Sequence, residues 1–327
     1  MARLSPGPTS RAWSHTAACA WLVLVALTAL LAGVLPLPYL PGVPDLSQVA
    51  QPPLAAGQHW LGTDVQGRDV LSVLVFGART AVLLTLPAAV LSALLGAVAG
   101  GAAGFWGNKA RLPVPYWLLA AGGVWWALRL PLPALSLAMA GLGLGIVAVA
   151  RRQQRPCPTW AVPINAVVMG TAATLDAIPR LLLVVAVAAG AGMSAVGLLG
   201  LLTLTAWPHP ARLVRAQMLR VRALPFVEAA QAAGLPAVRV WLGHAMPHAL
   251  QPLRTAMPLS VASLLGLEST LSFLGIGLPP EVASWGRLLA TVREEPTAWW
   301  LFVFPATCLI ITIVSLIRLS RRQAVTG

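Results

Sequence analysis

The sequence predicts an all-α polytopic membrane protein, and three observations carry that reading. Charged residues make up 9% of the chain, where a soluble domain carries about a quarter. Apolar runs close to the ~20 residues that a helix needs to cross hydrocarbon recur along it. Its basic residues gather in the short gaps between those runs. With 58% of 327 residues hydrophobic and a mean hydropathy of +0.80, a soluble fold is excluded. The formal net charge of +13 does not indicate nucleic acid, because the arginines form scattered clusters instead of the continuous patch that phosphate tracking needs.

Topology accounts for the clusters. If the amino terminus and the loop 211–249 lie inside, then Arg3, Arg11, Lys109, Arg111, Arg151, Arg152, Arg155, Arg212, Arg215, Arg220, Arg222, Arg239, Arg254, Arg318, Arg321 and Arg322 are cytoplasmic. Arg68, Arg79, Arg129, Arg287 and Arg293 fall outside, with Asp45, Asp64, Asp69, Glu281, Glu294 and Glu295. This arrangement obeys the positive-inside rule, and the inverted one violates it. The expected location is therefore a plasma (inner) membrane, crossed several times, with both termini cytoplasmic.

The first run, Ala17 to Leu35, follows Arg3, Arg11 and His15 in the manner of a secretory signal. It is too long for a signal core and no small-residue cleavage site follows, so it reads as an uncleaved first helix. Residues 36–58 carry Pro36, Pro38, Pro41, Pro44, Pro52 and Pro53, which excludes a regular helix and predicts an extended external loop. A second span is expected from about Thr80 to Gly104. Gly96, Gly100, Gly101 and Gly104 in its latter half either permit close helix packing or reflect the ordinary glycine content of membrane helices.

Two shorter apolar stretches, 113–128 and 132–150, are separated by Arg129-Leu130-Pro131 and flanked by basic residues. They read as a tight transmembrane hairpin, with a re-entrant or interfacial hairpin as the alternative, since the first is short and contains Gly122 and Gly123. Residues 165–192 and 194–210 supply the next two spans. Asp176 and Arg180 are four apart on one helix face. Either they neutralise each other near an interface, the commoner arrangement, or they mark a transport path.

Residues 226–247 form a water-compatible island. Pro225 blocks the preceding helix, Glu228 sits at the positive dipole end of a new one, and Gly234 closes it as a left-handed cap. Pro236 then opens a second short helix through Arg239 and Trp241 to His244, which Pro247 stops. Ala229, Ala230, Ala232 and Ala233 present little bulk, so the first helix can sit deep in a partner's groove with Phe226 as an anchor. Beyond it, Leu250 to Leu278 is a span containing Glu268. An acid at that depth faces protein or a water-filled cavity, so Glu268, with Ser269 and Ser272, either lines a translocation route or belongs to an internal hydrogen-bond network. A last span, about Trp299 to Ile317, begins at an interfacial tryptophan pair and ends at Arg318, Arg321 and Arg322.

The order Glu228-Ala229-Ala230, three residues, Gly234, nine residues, His244, two residues, Pro247 resembles the EAA loop of importer-type ABC transporter permeases. The segments His59 to Ser72 and Phe76 to Arg79, and Glu268 to Pro280 with Ser284-Trp285-Gly286, are similar to the dipeptide, oligopeptide and nickel permeases, specifically the DppC or OppC type of subunit. The resemblance implies a type I importer bundle with six family-like spans, to which the hairpin adds two, giving about eight. It also implies that Phe226, Glu228, Ala229, Ala230, Gly234, Arg239, His244 and Pro247 form a cytoplasmic plug that couples the spans to an ATP-hydrolysing subunit. Gly62, Thr63, Asp64, Gly67, Arg68 and Asp69 would shape the external gate. Implied partners are a second homologous permease, one or two ABC ATPase subunits and an extracytoplasmic solute-binding protein, with ATP and magnesium bound by the ATPase and no cofactor in this chain. The cargo would be a di- or oligopeptide, with a nickel chelate as the alternative. The family pattern is departed from at Arg180, where an apolar residue is usual, and at a tail lacking the family's acidic ending.

The expected organisation is an N-terminal helix and Pro-rich loop (1–58), the GTD/GRD segment with the second span (59–107), an inserted hydrophobic hairpin (108–160), core spans carrying the coupling loop 211–249 (161–318), and a basic tail (319–327). The chain contains no Gly-x-x-x-x-Gly-Lys-Ser/Thr phosphate cradle, so it is not expected to hydrolyse ATP. Cys19, Cys157 and Cys308 form no disulfide or metal framework, and no histidine has metal-ligand spacing. Asp64 and Asp69 lack an accompanying nucleophile, and an intramembrane hydrolase would need paired aspartates, a Ser/His pair or His-Glu-x-x-His within spans. A passive channel or receptor remains a rival, separable by whether an ATP-binding subunit co-purifies.

Overall fold

In the computed structural model, residues 8–36, 38–55, 59–108, 110–113, 159–191 and 194–326 are described. They fall into two compact units, Met1–Phe105 with Met169–Gly327, and Trp106–Val168.

Helix α1 covers Pro8–Leu31 and α2 covers Val70–Trp106. At 37 residues α2 is about 55 Å long, well beyond a hydrocarbon core of about 30 Å. It begins ten residues before the expected Thr80. The reason is local: Asp69 Oδ2 accepts the Ser72 backbone N–H at 2.8 Å, capping the helix start inside the polar segment instead of at the first long apolar run. Residues 36–55 contain no helix where described, as their prolines require.

The expected single span 165–192 is broken. Helix α3 (Ile164–Ala177) and helix α4 (Arg180–Ala191) meet at 80°. Pro179 has no N–H to donate and pushes Ile178 out of helical geometry, so the ladder stops and restarts. The next expected span, 194–210, is divided more gently, because Trp207 between its two helices keeps helical geometry at φ −61°, ψ −25°. Helix α5 (Ala195–Ala206), capped by Ser194 Oγ accepting the Gly197 N–H at 3.2 Å, gives way at Trp207 to α6 (Pro208–Val221), which has proline at its start.

Helix α7 spans Pro225–Ala232. A continuous run follows: α8 (Ala237–Arg239), a π-helical turn (Val240–Ala245) and α9 (Met246–Ala249). Helix α10 (Gln251–Phe273), α11 (Trp285–Ala290), a 3₁₀ turn (Thr291–Arg293) and α12 (Trp300–Thr326) complete the chain.

Among the described residues, α2, α10 and α12 are each long and apolar enough to cross a membrane, and the bent pair α3 and α4 makes a fourth if counted as one span. The expected hairpin stretches 113–128 and 132–150 lie almost wholly outside the described residues. In the second unit the chain departs from an all-helical pattern. Strands β1 (Ala110–Pro113) and β2 (Thr159–Val162) pair antiparallel, with Ala110 opposite Val162 and Pro113 opposite Thr159. Four-residue strands are too short to show a period of two in the sequence.

Among the described residues, apolar clusters hold the first unit together. Val25, Val73, Leu265, Trp285, Leu288, Leu301 and Leu309 join α1, α2, α10, α11 and α12, while Leu84, Ala88, Val184, Leu198, Leu202, Leu264 and Leu271 join α2, α4, α5 and α10. Hydrogen bonds from indoles fix the first cluster: Trp21 Nε1 donates to Thr312 Oγ1 at 3.0 Å and Trp285 Nε1 to the Leu74 carbonyl at 2.9 Å. The α2 glycines pack closely. A Cβ on Gly96 would lie 2.7 Å from the Ala211 nitrogen, one on Gly104 2.7 Å from Met218 Cβ, and one on Gly100 would collide with the Ala211 carbonyl oxygen. Small residues here let α6 approach the α2 backbone.

Candidate functional site

The helix pair 225–249 is built from local rules. Pro225 occupies the first turn of α7 and holds Leu224 extended at φ −83°, ψ 144°. At the other end Gly234 has φ +77°, its N–H donates to the Gln231 carbonyl at 2.9 Å, and the Leu235 N–H reaches back to the Ala230 carbonyl at 3.4 Å. These two bonds are the Schellman pattern, and the left-handed residue it requires favours glycine.

Packing then sorts the side chains of this pair. Val227 is fully buried and Ala230 nearly so, as are Val240, Trp241, Ala245 and Met246 of the following run, whose π turn packs on α7. Ala230 therefore faces the protein and leaves Ala229, Ala232 and Ala233 exposed with Phe226, Glu228, Gly234, Arg239 and Pro247, while His244 is half-buried. Val227 was not legible as the anchor of α7, because a two-turn helix is too short to fix its inward face by periodicity. The Phe226 ring stands 5.1 Å from the His248 ring. Val238 and Leu242, each 54% exposed, are further exposed apolar side chains of the following run. Glu228 presents an exposed carboxylate at the N-terminal end of α7.

Pro247 does not stop the second helix as expected. The Met246 N–H donates to the Trp241 carbonyl, five residues back, so the chain widens into a π turn just before the proline. A wider turn relieves the clash and missing bond that a proline imposes on an α ladder. The run then continues to Ala249 and, through Leu250, into α10. Arg222 donates to the Gly104 carbonyl at 3.1 Å, a cation at the C-terminal end of α2.

The Gly62 to Asp69 segment is a closed polar knot. Asp64, fully buried, accepts from the Arg68 and Gln66 backbone N–H groups at 2.8 and 2.9 Å and from Arg68 Nε at 2.7 Å. Asp69 holds His59 Nδ1 at 3.0 Å with one oxygen and caps α2 with the other. Thr63 receives the Gln51 N–H at 2.8 Å and donates to the Gln48 carbonyl at 2.5 Å. Gly62 and Gly67, at φ +81° and +76°, turn the chain beneath residues 45 and 51–53, where a Cβ would strike backbone. Both carboxylates are thus committed to holding the loop, and neither is placed to attack a substrate.

Glu268 is 2% exposed and its carboxylate accepts from Ser272 at 2.8 Å, Ser284 at 2.9 Å and Ser269 at 3.3 Å. The geometry is that of an internal hydrogen-bond network. Ser284, sixteen positions away, joins through the close approach of α11, where a Cβ on Gly286 would strike the Ser269 carbonyl. Nearby, Arg287 donates to the carbonyls of Leu278 and Pro279 at 2.6 Å each, securing the loop after α10.

Asp176 is partnered by Arg212 of α6 at 2.5 Å, with both side chains about half exposed. The break at Pro179 takes Arg180 out of the helical register it would share with Asp176, which still attracts it at longer range than an ion pair.

Residues 75–324 match the family described as "Binding-protein-dependent transport system inner membrane component". A Brucella suis protein named as a peptide transport system permease is 29% identical over 300 residues, covering 90% of this chain and 80% of its own length. A second from Brucella suis, named as a peptide permease, is 28% identical over 298 residues, at 90% and 81% coverage. The oligopeptide transport system permease protein OppC of Bacillus subtilis is 26% identical over 303 residues, at 92% and 81%. Among solved structures, the MetNI methionine ABC transporter in an inward-facing conformation aligns over 78% of this chain and 96% of its own, with 18% identity and a TM-score of 0.46.

Proposed function

The chain belongs to the binding-protein-dependent transport system inner membrane component family, and from that premise we propose that it is the permease subunit of a peptide-importing ABC transporter, driven by a separate ATPase. The peptide cargo is carried over from the names of its relatives. One observation bears most of the coupling role: α7 is a short helix, closed by the Gly234 cap, with Phe226 and Glu228 exposed on either flank of the buried Val227. Such an element accepts force outside and passes it inward.

The route inward is continuous. Val227 and Ala230 are buried where α7 packs on the π turn 240–245, and the run from Ala237 leads through Ala249 and Leu250 into α10. When two ATPase subunits close around ATP and magnesium, α7 moves with the cleft that holds it, and α10 tilts with the run to which α7 is packed. Alternating access follows from the two positions of these packed elements. A second permease would supply the other half of the pathway, and an extracytoplasmic solute-binding protein would deliver cargo to the side bearing the Asp64 and Asp69 knot. The basic residues Arg212, Arg215, Arg220, Arg222 and Arg239 support placing α7 in the cytoplasm of a bacterial cell, with both termini on that side.

The test is co-purification and uptake. The intact transporter, expressed with a partner ATPase, a second permease and a solute-binding protein, is expected to retain the ATPase and take up a radiolabelled dipeptide. Glu228→Arg is expected to lower both at least tenfold without changing the amount of folded permease. Undiminished ATPase association and uptake in Glu228→Arg would overturn the coupling role, and uptake of a nickel chelate but no peptide would overturn the cargo.

A further inference from the structure

Val90, Leu94 and Val98 are exposed on α2 at four-residue spacing, which stacks them on one face of the helix. Beside them Ala93 and Ala97 are buried and small, so the surface dips between α2 and the first turns of α10. The dip is a groove of about 600 Å³, bounded on the α10 side by Leu253 and Met257. In a bilayer it must be filled, because groove walls lose their dispersion contacts wherever no atom meets them.

Among the described residues that line the groove, Arg254 alone is charged. It is exposed and has no ion-pair partner among the described residues. Its level in the bundle is set by α12. The carbonyl of Thr255, the next residue, accepts Ser320 Oγ at 2.5 Å, so Arg254 stands level with the exposed Arg318 and Arg321 that end the last span. Arginines gathered at one end of apolar helices mark the headgroup layer. A protein helix packed into the groove would bury the Arg254 cation without a counter-charge, which apolar contact does not offset. A phospholipid answers both halves of the site, with an acyl chain for the apolar walls and a phosphate for the guanidinium fork.

We propose that this groove binds one anionic phospholipid, its acyl chain lying along Val90, Leu94, Val98, Leu253 and Met257 and its phosphate paired with Arg254. No carboxylate lines the groove among the described residues, and Arg318 and Arg321 add positive charge at the same level, so a lipid of net negative charge is favoured over a zwitterionic one. The site goes beyond the import reading and stands without it, since it requires only a chain embedded in a bilayer.

Native mass spectrometry of the full chain, equilibrated in detergent with equal amounts of phosphatidylglycerol and phosphatidylcholine of the same acyl chains, counts the lipids that stay bound. Wild type is expected to retain phosphatidylglycerol over phosphatidylcholine by about tenfold, the scale of one charge-assisted hydrogen bond. Arg254→Ala is expected to lose that preference, and Arg254→Lys to keep part of it, since a lysine retains the charge without the fork. Leu94→Trp, a change at an exposed position, is expected to reduce retention of both lipids by occupying the groove. Equal retention of the two lipids by wild type, an undiminished preference in a folded Arg254→Ala, or unchanged retention in Leu94→Trp overturns the proposal. A photo-crosslinking benzoylphenylalanine at position 94, in the chain expressed in a bacterial membrane, then identifies the neighbour. Phospholipid adducts are expected, and adducts confined to protein would overturn the proposal by showing the groove to be a subunit contact.

Discussion

The indole N–H of Trp300, the first residue of α12, donates to the carbonyl of Thr63 at 3.1 Å, tying the last helix to the polar knot before α2 across 237 positions of sequence. Trp300 is 6% exposed and Thr63 fully buried, so neither group has water to fall back on. Replacing Trp300 by phenylalanine keeps most of the apolar volume and leaves the carbonyl unpaired. The expected loss is about 1–3 kcal/mol, the desolvation penalty of one buried acceptor. Thermal unfolding of the purified chain in detergent measures it, and an unchanged midpoint would show that the bond is dispensable.

Asp64→Asn should be more damaging. The Asp64 carboxylate neutralises Arg68, whose side chain is only 10% exposed, while also organising the loop through two backbone bonds. Removing one charge of a buried pair costs about 3–5 kcal/mol because the other is left uncompensated. The double variant Asp64→Asn with Arg68→Gln should recover part of that loss. A double variant no more stable than Asp64→Asn alone would remove the charge argument.

Gly100→Ala places a methyl group against the Ala211 carbonyl at the crossing of α2 and α6. Backbone cannot rotate away as a side chain can, so the helices must separate, at a cost of about 1–3 kcal/mol. Gly200→Ala, where a Cβ meets nothing within 4 Å, is the control and should be neutral or slightly stabilising. Equal effects of the two would mean that close helix approach does not matter here.

At Gly234 a Cβ also meets nothing within 4 Å, yet the backbone sits at φ +77°. Gly234→Ala is therefore expected to destabilise the α7 cap by about 1–2 kcal/mol through conformation alone. Hydrogen exchange at the amides of Gly234 and Leu235, which close the cap, should accelerate while that of α10 stays unchanged. Acceleration spread through α10 would mean that the cap is not a local device.

Ser272→Ala and Ser284→Ala each remove one donor to Glu268 Oε1. Each should cost about 1–3 kcal/mol, and the pair should depart from additivity because both donors serve one oxygen. Additive effects in a double-mutant cycle would show that the two bonds act independently.

Much of the architecture could be read in advance where a residue acts on its own neighbours. The α7 helix with its left-handed closure at Gly234 follows from Pro225 and the glycine, and the membrane class follows from composition. The broken span at Pro179 was equally local, but the long apolar run around it masked the signal. The early start of α2 was hidden because its cap, Asp69, lies in a segment whose other features pointed to a loop.

Composition and short-range chemistry therefore determined that the chain is helical and apolar, where most turns fall, and which residues belong to the family motifs, since hydrophobic run length, proline and glycine act within a few residues. Tertiary structure alone decided that Ala230 turns inward with Val227, that Ser284 completes the Glu268 network, and that Arg212 takes Asp176. Each of those outcomes depends on which helices approach within a few ångströms, a distance that packing of the whole unit sets and no local pattern encodes.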